Sequence, residues 1–209
     1  MNDTKKVGRP KKFDRHQAVE DAIGVFWTKG YDGASMKLLT DAMGINSPSL
    51  YAEFGDKAGL YLEAIDHYAN DDACEPLVAL EREADIKDAV TVFLGAVINY
   101  STSHPSGAKG CFLASCVSTS AGNVKGAANL LQDAIKGTDA RIQARFDLEK
   151  ARGTLPADFP SADQARLLFD LRQGLVFRAR AGISDQELRQ GITTAVAAVL
   201  ASAYTAALR

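Results

Sequence analysis

The stretch MGINSPSLYAEFGDKAGLY, residues 43–61, gathers polar side chains that suit contact with a nucleic acid. It contains serine hydroxyls on both sides of a proline, followed by a tyrosine and a lysine. Small hydroxyl side chains allow close approach to base edges, and a tyrosine hydroxyl or a lysine at a helix N-terminus can hold a phosphate. The spacing predicts a DNA-contacting segment, provided that neighbouring elements present these residues on one outward face.

Apolar periodicity and capping residues predict the helices that would hold this segment. A first amphipathic helix covers 15–29 and ends at Gly30. Ser35 caps a short second helix that reaches Gly44, and Asn46 caps a third. This order matches a helix-turn-helix, in which the helix after the glycine turn enters the major groove.

Helical patterns continue along the rest of the chain, and no convincing strand alternation interrupts them. Asp56 caps a fourth helix, which we expect to run from Lys57 toward Glu75, because Pro76 disfavours a helical conformation in the residue before it. Further helices are predicted near 86–103, 110–121, 123–151, 162–182 and 185–207. The predicted fold is all-α, with a basic arm at 1–13, an N-terminal three-helix helix-turn-helix DNA-binding domain at 14–60 and a C-terminal helical domain at 61–209.

Charge is distributed unevenly along the chain. The formal net charge is −2, but residues 1–13 carry five Lys or Arg against Asp3, a net +4, so residues 14–209 carry −6. Basic charge is thus concentrated where it could meet phosphate. Within this arm, we predict that Arg9, Lys11 and Lys12 contact DNA, as basic arms do in a narrow minor groove.

Several classes of protein are disfavoured. No run approaches the roughly 18 apolar residues of a membrane span, and no apolar stretch follows the polar start, which predicts a cytoplasmic protein without membrane partners. Common hydrolase, zinc-protease, phosphate-loop and dinucleotide motifs are missing, so neither an enzyme nor a cofactor is expected. His16, His67 and His104 lack metal-ligand spacing, which predicts solvated surface histidines and no metal site.

The order GYDGAS, LL and MGINSPSLYAEFGDKAGL resembles the N-terminal DNA-binding domain of the tetracycline-repressor (TetR/AcrR) family of bacterial transcription regulators. The resemblance covers roughly residues 14–65. It implies that the following residues face DNA: Ser35, Lys37, Ser47, Ser49, Tyr51 and Lys57.

Three positions depart from the family pattern. Thr40 and Met43 stand where family members commonly carry alanine, which predicts a slightly different packing between the second and third helices. Glu53 stands where a non-acidic residue is frequent. A carboxylate facing DNA would repel phosphate, so we expect Glu53 to turn away or to pair with a neighbouring lysine.

The resemblance also implies a homodimer formed by the last two long helices, and a small-molecule pocket in the C-terminal domain. Small residues in both helices would allow close approach, although a monomeric helical core is the simpler alternative. The predicted interface residues are Leu171, Gly174, Leu175, Ala195, Val199 and Ala203. The candidate pocket residues, each of which could instead fill a core, are Phe93, Val97, Tyr100, Cys111, Phe112, Phe146, Phe169 and Phe177.

The function implied by the resemblance is that of a repressor that leaves a pseudo-palindromic operator when an apolar or aromatic effector binds. Two alternatives remain open. Cys111 and Cys116 could make the same DNA-binding protein a redox or electrophile sensor, although buried, inert thiols are the simpler interpretation. The chain could also be a ligand-binding helical protein with a vestigial helix-turn-helix.

Overall fold

The computed structural model describes residues 14–70, 75–103 and 107–201. The predicted DNA contacts Arg9, Lys11 and Lys12 and the predicted interface residue Ala203 lie outside these ranges. Within them the fold is helical and without strands. The helices are α1 (Arg15–Gly33), α2 (Met36–Met43), α3 (Ser47–Phe54), α4 (Lys57–Asn70), α5 (Glu75–Arg82), α6 (Ile86–Ser103), α7 (Ser118–Ser120), α8 (Ala127–Arg152), α9 (Ser161–Arg180), α10 (Asp185–Arg189) and α11 (Ile192–Leu200), with a π-helical segment at Leu113–Val117 before α7.

The predicted end of the first helix is a kink. Gly30 has φ 72° and ψ 169°, a conformation that favours glycine, but one more helical turn follows as far as Gly33. The Ala34 amide then donates to the carbonyls of Gly30 and Tyr31 and closes α1. Gly30 therefore does interrupt the first helix as predicted, but the helical turn that follows it was not predicted.

The C-terminal part differs from the predicted helices at Pro76 and after Arg189. Pro76 lies in the first turn of α5, where its missing N–H costs nothing, so it belongs to a helix that the sequence reading missed. The predicted helix at 185–207 divides into α10 and α11, because the amides of Gln190 and Gly191 donate to carbonyls three residues back and form a tight turn.

In the part of the chain that the structure describes, the main hydrophobic core runs from α1 to α11, and a small second cluster consists of Ile98, Ala179 and Leu188. In its N-terminal part α1 packs against α2 and α4, and α3 packs against α2 and α4. In the C-terminal part α6, α8, α9 and α11 pack together. Helix α4 also contacts α8 and the π-helical segment, so it belongs to both parts. Among the described residues, no helix combines the length and apolar character that crossing a membrane requires.

Candidate nucleic-acid interface and effector cavity

The turn between α2 and α3 has the geometry of a helix-turn-helix. Gly44 ends α2 in the left-handed conformation, with φ 65°, which places little strain on glycine. The Ile45 amide donates to the Thr40 carbonyl at 3.1 Å. The Asn46 side chain then accepts from the Ser49 amide at 2.8 Å and caps α3. The predicted caps of both helices are confirmed, and they fix where α3 begins.

Helix α3 is held by one face and presents the other to solvent. Leu50 is fully buried and Phe54 is buried, so both anchor the helix in the core. Tyr51, between them, leaves 52% of its surface exposed. Ser47 is exposed and Ser49 is half-buried at the same end of the helix. The structure therefore leaves all three predicted contact residues of α3 reachable, with the tyrosine ring as the largest exposed group.

The start of α2 adds two predicted contact residues. Ser35 caps this helix by accepting a hydrogen bond from the Leu38 amide at 3.2 Å, and it remains exposed. Lys37 is exposed in the first turn. The cap orients the helix, and the lysine brings a positive charge toward its N-terminal end.

Thr40 and Met43 are the two positions of α2 that depart from the family pattern. Both are buried. The Thr40 hydroxyl donates to the carbonyls of Met36 and Lys37, so its polar atom is satisfied within α2. A threonine can occupy this buried position because the helix itself supplies the acceptors.

Lys57 begins α4, and its ammonium lies 4.5 Å from the centre of the Tyr31 ring. This cation–π contact fixes the lysine near the end of the kinked helix α1. Burial raises the pKa of Tyr31, and Asp56 and Asp32 raise it further, so the hydroxyl stays neutral. The contact orients Lys57 without neutralising its charge.

Arg15 forms contacts near the candidate interface that the amino-acid sequence did not predict. Its guanidinium forms a two-pronged hydrogen bond with the Glu63 carboxylate of α4. It also lies 3.9 Å from the Glu53 carboxylate. Glu53 thus faces an arginine of α1 and not a lysine, and this pairing reduces the repulsion that its charge would exert on phosphate. The sequence did not predict these ion pairs because Arg15 is far from Glu53 and Glu63 along the chain.

A cavity of about 440 Å³ lies between α4, α8 and α9. Its wall is mostly apolar, with Ile65 of α4, Leu130 of α8 and Phe169 of α9 among the lining residues. Arg172 and Gln173 add polar groups from α9. Its volume is that of a small-molecule site.

Most of the predicted pocket residues belong to the core instead of this wall. Phe169 lines the cavity. Phe177 is 76% exposed and lines a separate surface depression. The members buried in the core are Phe93, Val97, Cys111, Phe112 and Phe146, and Tyr100 is half-buried against them. The reason is mutual packing of rings: Phe112, for example, lies 6.0 Å from Tyr61 and 5.4 Å from Tyr68, measured between ring centres.

Cys111, just before the π-helical segment, and Cys116, within it, are buried thiols in contact with tyrosines. The Tyr68 hydroxyl donates to Cys111 at 3.5 Å. The Tyr61 hydroxyl lies 3.3 Å from the Cys116 sulfur, which itself donates to the Phe26 carbonyl of α1. Burial raises the pKa of the Cys116 thiol, although the hydrogen bond from Tyr61 partly offsets this effect. Cys116 therefore ties α1, α4 and the π-helical segment together as a neutral group.

An apolar groove of about 500 Å³ follows α9, α10 and α11. Four of the six predicted interface residues, namely Leu171, Gly174, Leu175 and Ala195, line it. Val199 is fully buried in the core and does not line the groove.

Comparison with known proteins agrees with this geometry. The family described as "Bacterial regulatory proteins, tetR family" matches residues 19–64. The HTH-type transcriptional repressor ComR of Escherichia coli is 32% identical over 187 residues, which is 89% of each chain. The repressor BdcR of the same organism is 43% identical over 76 residues, 36% of this chain and 38% of its own.

A solved structure shows the same arrangement on DNA. It contains a cysteine mutant of the TetR family transcriptional regulator CifR in complex with 26 bp double-stranded operator DNA. It aligns with a TM-score of 0.81 and 30% identity over 91% of this chain and 99% of CifR. The shared helix-turn-helix and the relationship to ComR over 89% of each chain lead to one conclusion: the chain belongs to the tetR family of bacterial regulatory proteins and is a DNA-binding transcriptional regulator.

Proposed function

We propose that this regulator represses transcription by binding a pseudo-palindromic operator as a homodimer, and that a small-molecule effector releases it. The observation that carries the proposal is the exposed face of α3, where Tyr51 stands between the buried anchors Leu50 and Phe54. A helix anchored in this way can enter the major groove without losing its own packing.

The proposed DNA contacts are of two kinds, contacts to base edges and contacts to phosphates. Ser47 and Ser49, at the start of α3, are small enough for hydrogen bonds to base edges. Lys37 and Lys57 carry the charges that would hold phosphates on either side, and the ring of Tyr51 can reach a phosphate or a thymine methyl group. We expect the arm at 1–13 to add nonspecific affinity through its five basic residues.

A second copy of the chain is the occupant that we propose for the groove on α9, α10 and α11. Leu167, Leu171 and Leu175 line it in a row along α9, and this apolar surface would lie in water in a monomer. Two-fold packing of this face would place two α3 helices on one DNA site, and a helix-turn-helix of this kind reads two half-sites.

The cavity beside Ile65 is the proposed effector site. Its apolar wall suits an apolar or aromatic molecule, and the guanidinium of Arg172 could bond an acidic or carbonyl oxygen of that molecule. The described residues place no carboxylate within salt-bridge distance of this guanidinium. It donates to the side-chain oxygen of Gln173 at 3.1 Å and to the Cys111 sulfur at 3.8 Å, and it lies 5.7 Å from the centre of the Phe169 ring.

Helix α4 is the proposed link between effector and operator. Ile65 and Asp66 of α4 line the cavity, while Lys57 begins the same helix beside Tyr31. Tyr61 lies between them, with its hydroxyl 2.7 Å from Ser120. An effector that favours a different position of α4 would change the spacing of the α3 helices, and coupling of this type amounts to about 1–3 kcal/mol.

A reporter assay tests repression. A reporter gene placed behind the DNA that flanks the regulator's own gene should be expressed weakly with the wild type and strongly with Tyr51→Ala. Arg166→Ala, an exposed change on α9, is the matched control and should repress as the wild type does. Equal expression with the wild type and with Tyr51→Ala, at equal protein levels, would contradict the proposal.

The effector site is tested with the anionic dye 1-anilinonaphthalene-8-sulfonate, which has an apolar body and one acidic group. We expect the folded protein to enhance its fluorescence, and Arg172→Met to weaken binding about tenfold through loss of a charged hydrogen bond. Arg166→Met should bind as the wild type does. Equal affinity of all three proteins for the dye would show that Arg172 does not bind it.

Both thiols are buried, and the redox alternative rests on Cys111 because the Arg172 guanidinium contacts its sulfur, whereas burial raises the pKa of Cys116. Cys111 contacts both Arg172 and Tyr68 beside the cavity. Alkylation with iodoacetamide decides between the two mechanisms. Unchanged operator affinity after modification, confirmed by mass spectrometry, would exclude a thiol switch.

A further inference from the structure

Helices α1 and α4 bring three potential metal ligands together. His16 and Glu20 lie one turn apart on α1, with the His16 Nδ1 3.6 Å from the Glu20 Oε1. His67, in the last turn of α4, places its ring centre 4.5 Å from that of His16 in an edge-to-face arrangement. One ligand atom from each residue lies within 4.8 Å of the other two.

The three ligand atoms lie near the separations of an occupied site. Zinc binds imidazole nitrogen and carboxylate oxygen at about 2.0–2.2 Å, so two ligand atoms on one tetrahedral ion lie about 3.4 Å apart. The distance of 3.6 Å between His16 Nδ1 and Glu20 Oε1 is already close to this separation. The remaining separations, at most 4.8 Å, need a shift of about 1–1.5 Å, and the side chain of His16 is 62% exposed. A water molecule would complete a tetrahedral set.

We propose that His16, Glu20 and His67 bind a divalent transition-metal ion such as Zn²⁺, which links the first turn of α1 to the last turn of α4. Two imidazoles and one carboxylate are ligands that such ions take readily, whereas Mg²⁺ and Ca²⁺ prefer oxygen alone. The site lies outside both the DNA-contacting face and the effector cavity, so the proposal does not depend on either.

The neighbouring ion pair supports this position for a cation. Arg15, the residue before His16, has its charge balanced by Glu63 and Glu53. Glu63 lies one turn before His67 on α4, so the two contacts between α1 and α4 run side by side. A bound ion would add a second bridge next to this ion pair, and it would stabilise the folded state by binding only there.

Isothermal titration calorimetry with ZnCl₂ on the untagged, full-length protein tests the site, in the presence of excess Mg²⁺. We expect one ion per chain with a dissociation constant of about 10 μM or tighter, together with a rise in Tm. His16→Gln and His67→Gln should each weaken binding about tenfold or more. His104→Gln is the matched control and should bind as the wild type does.

Cobalt separates this site from one built on the cysteines. Co²⁺ bound by nitrogen and oxygen shows no thiolate charge-transfer band, whereas thiolate ligation does. No calorimetric binding by the wild type, equal affinity in the two histidine variants, or a thiolate band would each overturn the proposal. Circular dichroism of each variant confirms that a loss of binding is not a loss of fold.

Discussion

Glu149 is a carboxylate buried in α8, and its partners determine how stability depends on pH. Burial alone would raise the pKa of Glu149, but hydrogen bonds from Thr154, Arg145 and Arg152 outweigh this effect and hold the pKa below its ordinary value. Arg145 is also buried and donates to the carbonyls of Leu80 and Glu83. The pair therefore attaches α8 to the end of α5.

Substitution of Glu149 by Gln should destabilise the protein by about 3 kcal/mol near neutral pH, because Arg145 keeps its buried charge without a counter-ion. Because the pKa of Glu149 is lowered on folding, its contribution is complete above the unfolded-state pKa of about 4.3 and is lost as the pH falls through the lower folded-state value. Urea unfolding of wild type and variant from about pH 7 to 3 measures this difference.

Glu81→Gln is the matched control. Glu81 forms an exposed ion pair with Arg141 at 2.7 Å, so its loss should cost about 0–1 kcal/mol. A Glu149→Gln cost that stays constant down to the lowest pH would contradict the role of its ionised form.

At the residue scale, the sequence predicted helix caps better than contacts between residues that are far apart along the chain. The caps at Ser35 and Asn46 act on amides three residues away, and such short-range signals can be recognised in the sequence. The Arg15–Glu63 pair and the His16–His67 contact each join α1 to α4 across about fifty residues. No spacing rule within one helix could reveal them.

At the scale of elements, Gly59 controls how closely α3 and α4 approach. A β-carbon at this position would lie 2.1 Å from the carbonyl oxygen of Phe54, which is far shorter than any contact that atoms tolerate. The Gly59 amide also donates to the Asp56 side chain at 2.7 Å, so the backbone is held in place here. The corner after the recognition helix therefore requires glycine.

Gly59→Ala should destabilise the protein by about 2 kcal/mol or more, because the Phe54 carbonyl must move. For a chain of this length we expect Tm to fall by at least about 4 °C in differential scanning calorimetry.

Gly137→Ala is the matched control within α8. Nothing lies within 4 Å of a β-carbon at Gly137, and alanine suits a helix better than glycine, so Tm should stay the same or rise slightly. Equal Tm values for the two variants would contradict the close approach at Gly59.

Element types were more predictable than the exact bounds of the elements. The sequence predicted helix over 86–103, and α6 has these bounds. It missed α5, because Pro76 was interpreted as a stop although proline also suits a first turn. It also missed the π-helical segment, which depends on the packing of Cys116 against α1 and α4 and not on local preference.

At the scale of the whole molecule, the groove on α9 to α11 predicts the oligomeric state. Leu167 lines the groove and is 37% exposed in the single chain, so a change there can disturb a partner without disturbing the core. Leu167→Glu should convert the dimer to a monomer in sedimentation velocity, because it would bury a charge at the interface.

Leu148→Glu, at a leucine of similar exposure outside the groove, is the matched control and should remain dimeric. A dimer that persists in Leu167→Glu, or a wild type that is monomeric at micromolar concentration, would exclude this face as the interface. The sequence favoured these helices through their small residues, but only the tertiary structure distinguishes Leu171, which lines the groove, from Val199, which is buried in the core.

The most direct measurement is fluorescence anisotropy of the protein with the intergenic DNA that flanks its own gene, titrated at several salt concentrations beside scrambled DNA. The account predicts selective binding that weakens steeply with salt, and a loss of about tenfold or more for Tyr51→Ala with Arg166→Ala unchanged. Weak binding that is equal on both DNAs, or full affinity in Tyr51→Ala, would contradict the claim that the exposed face of α3 recognises the base sequence of the operator.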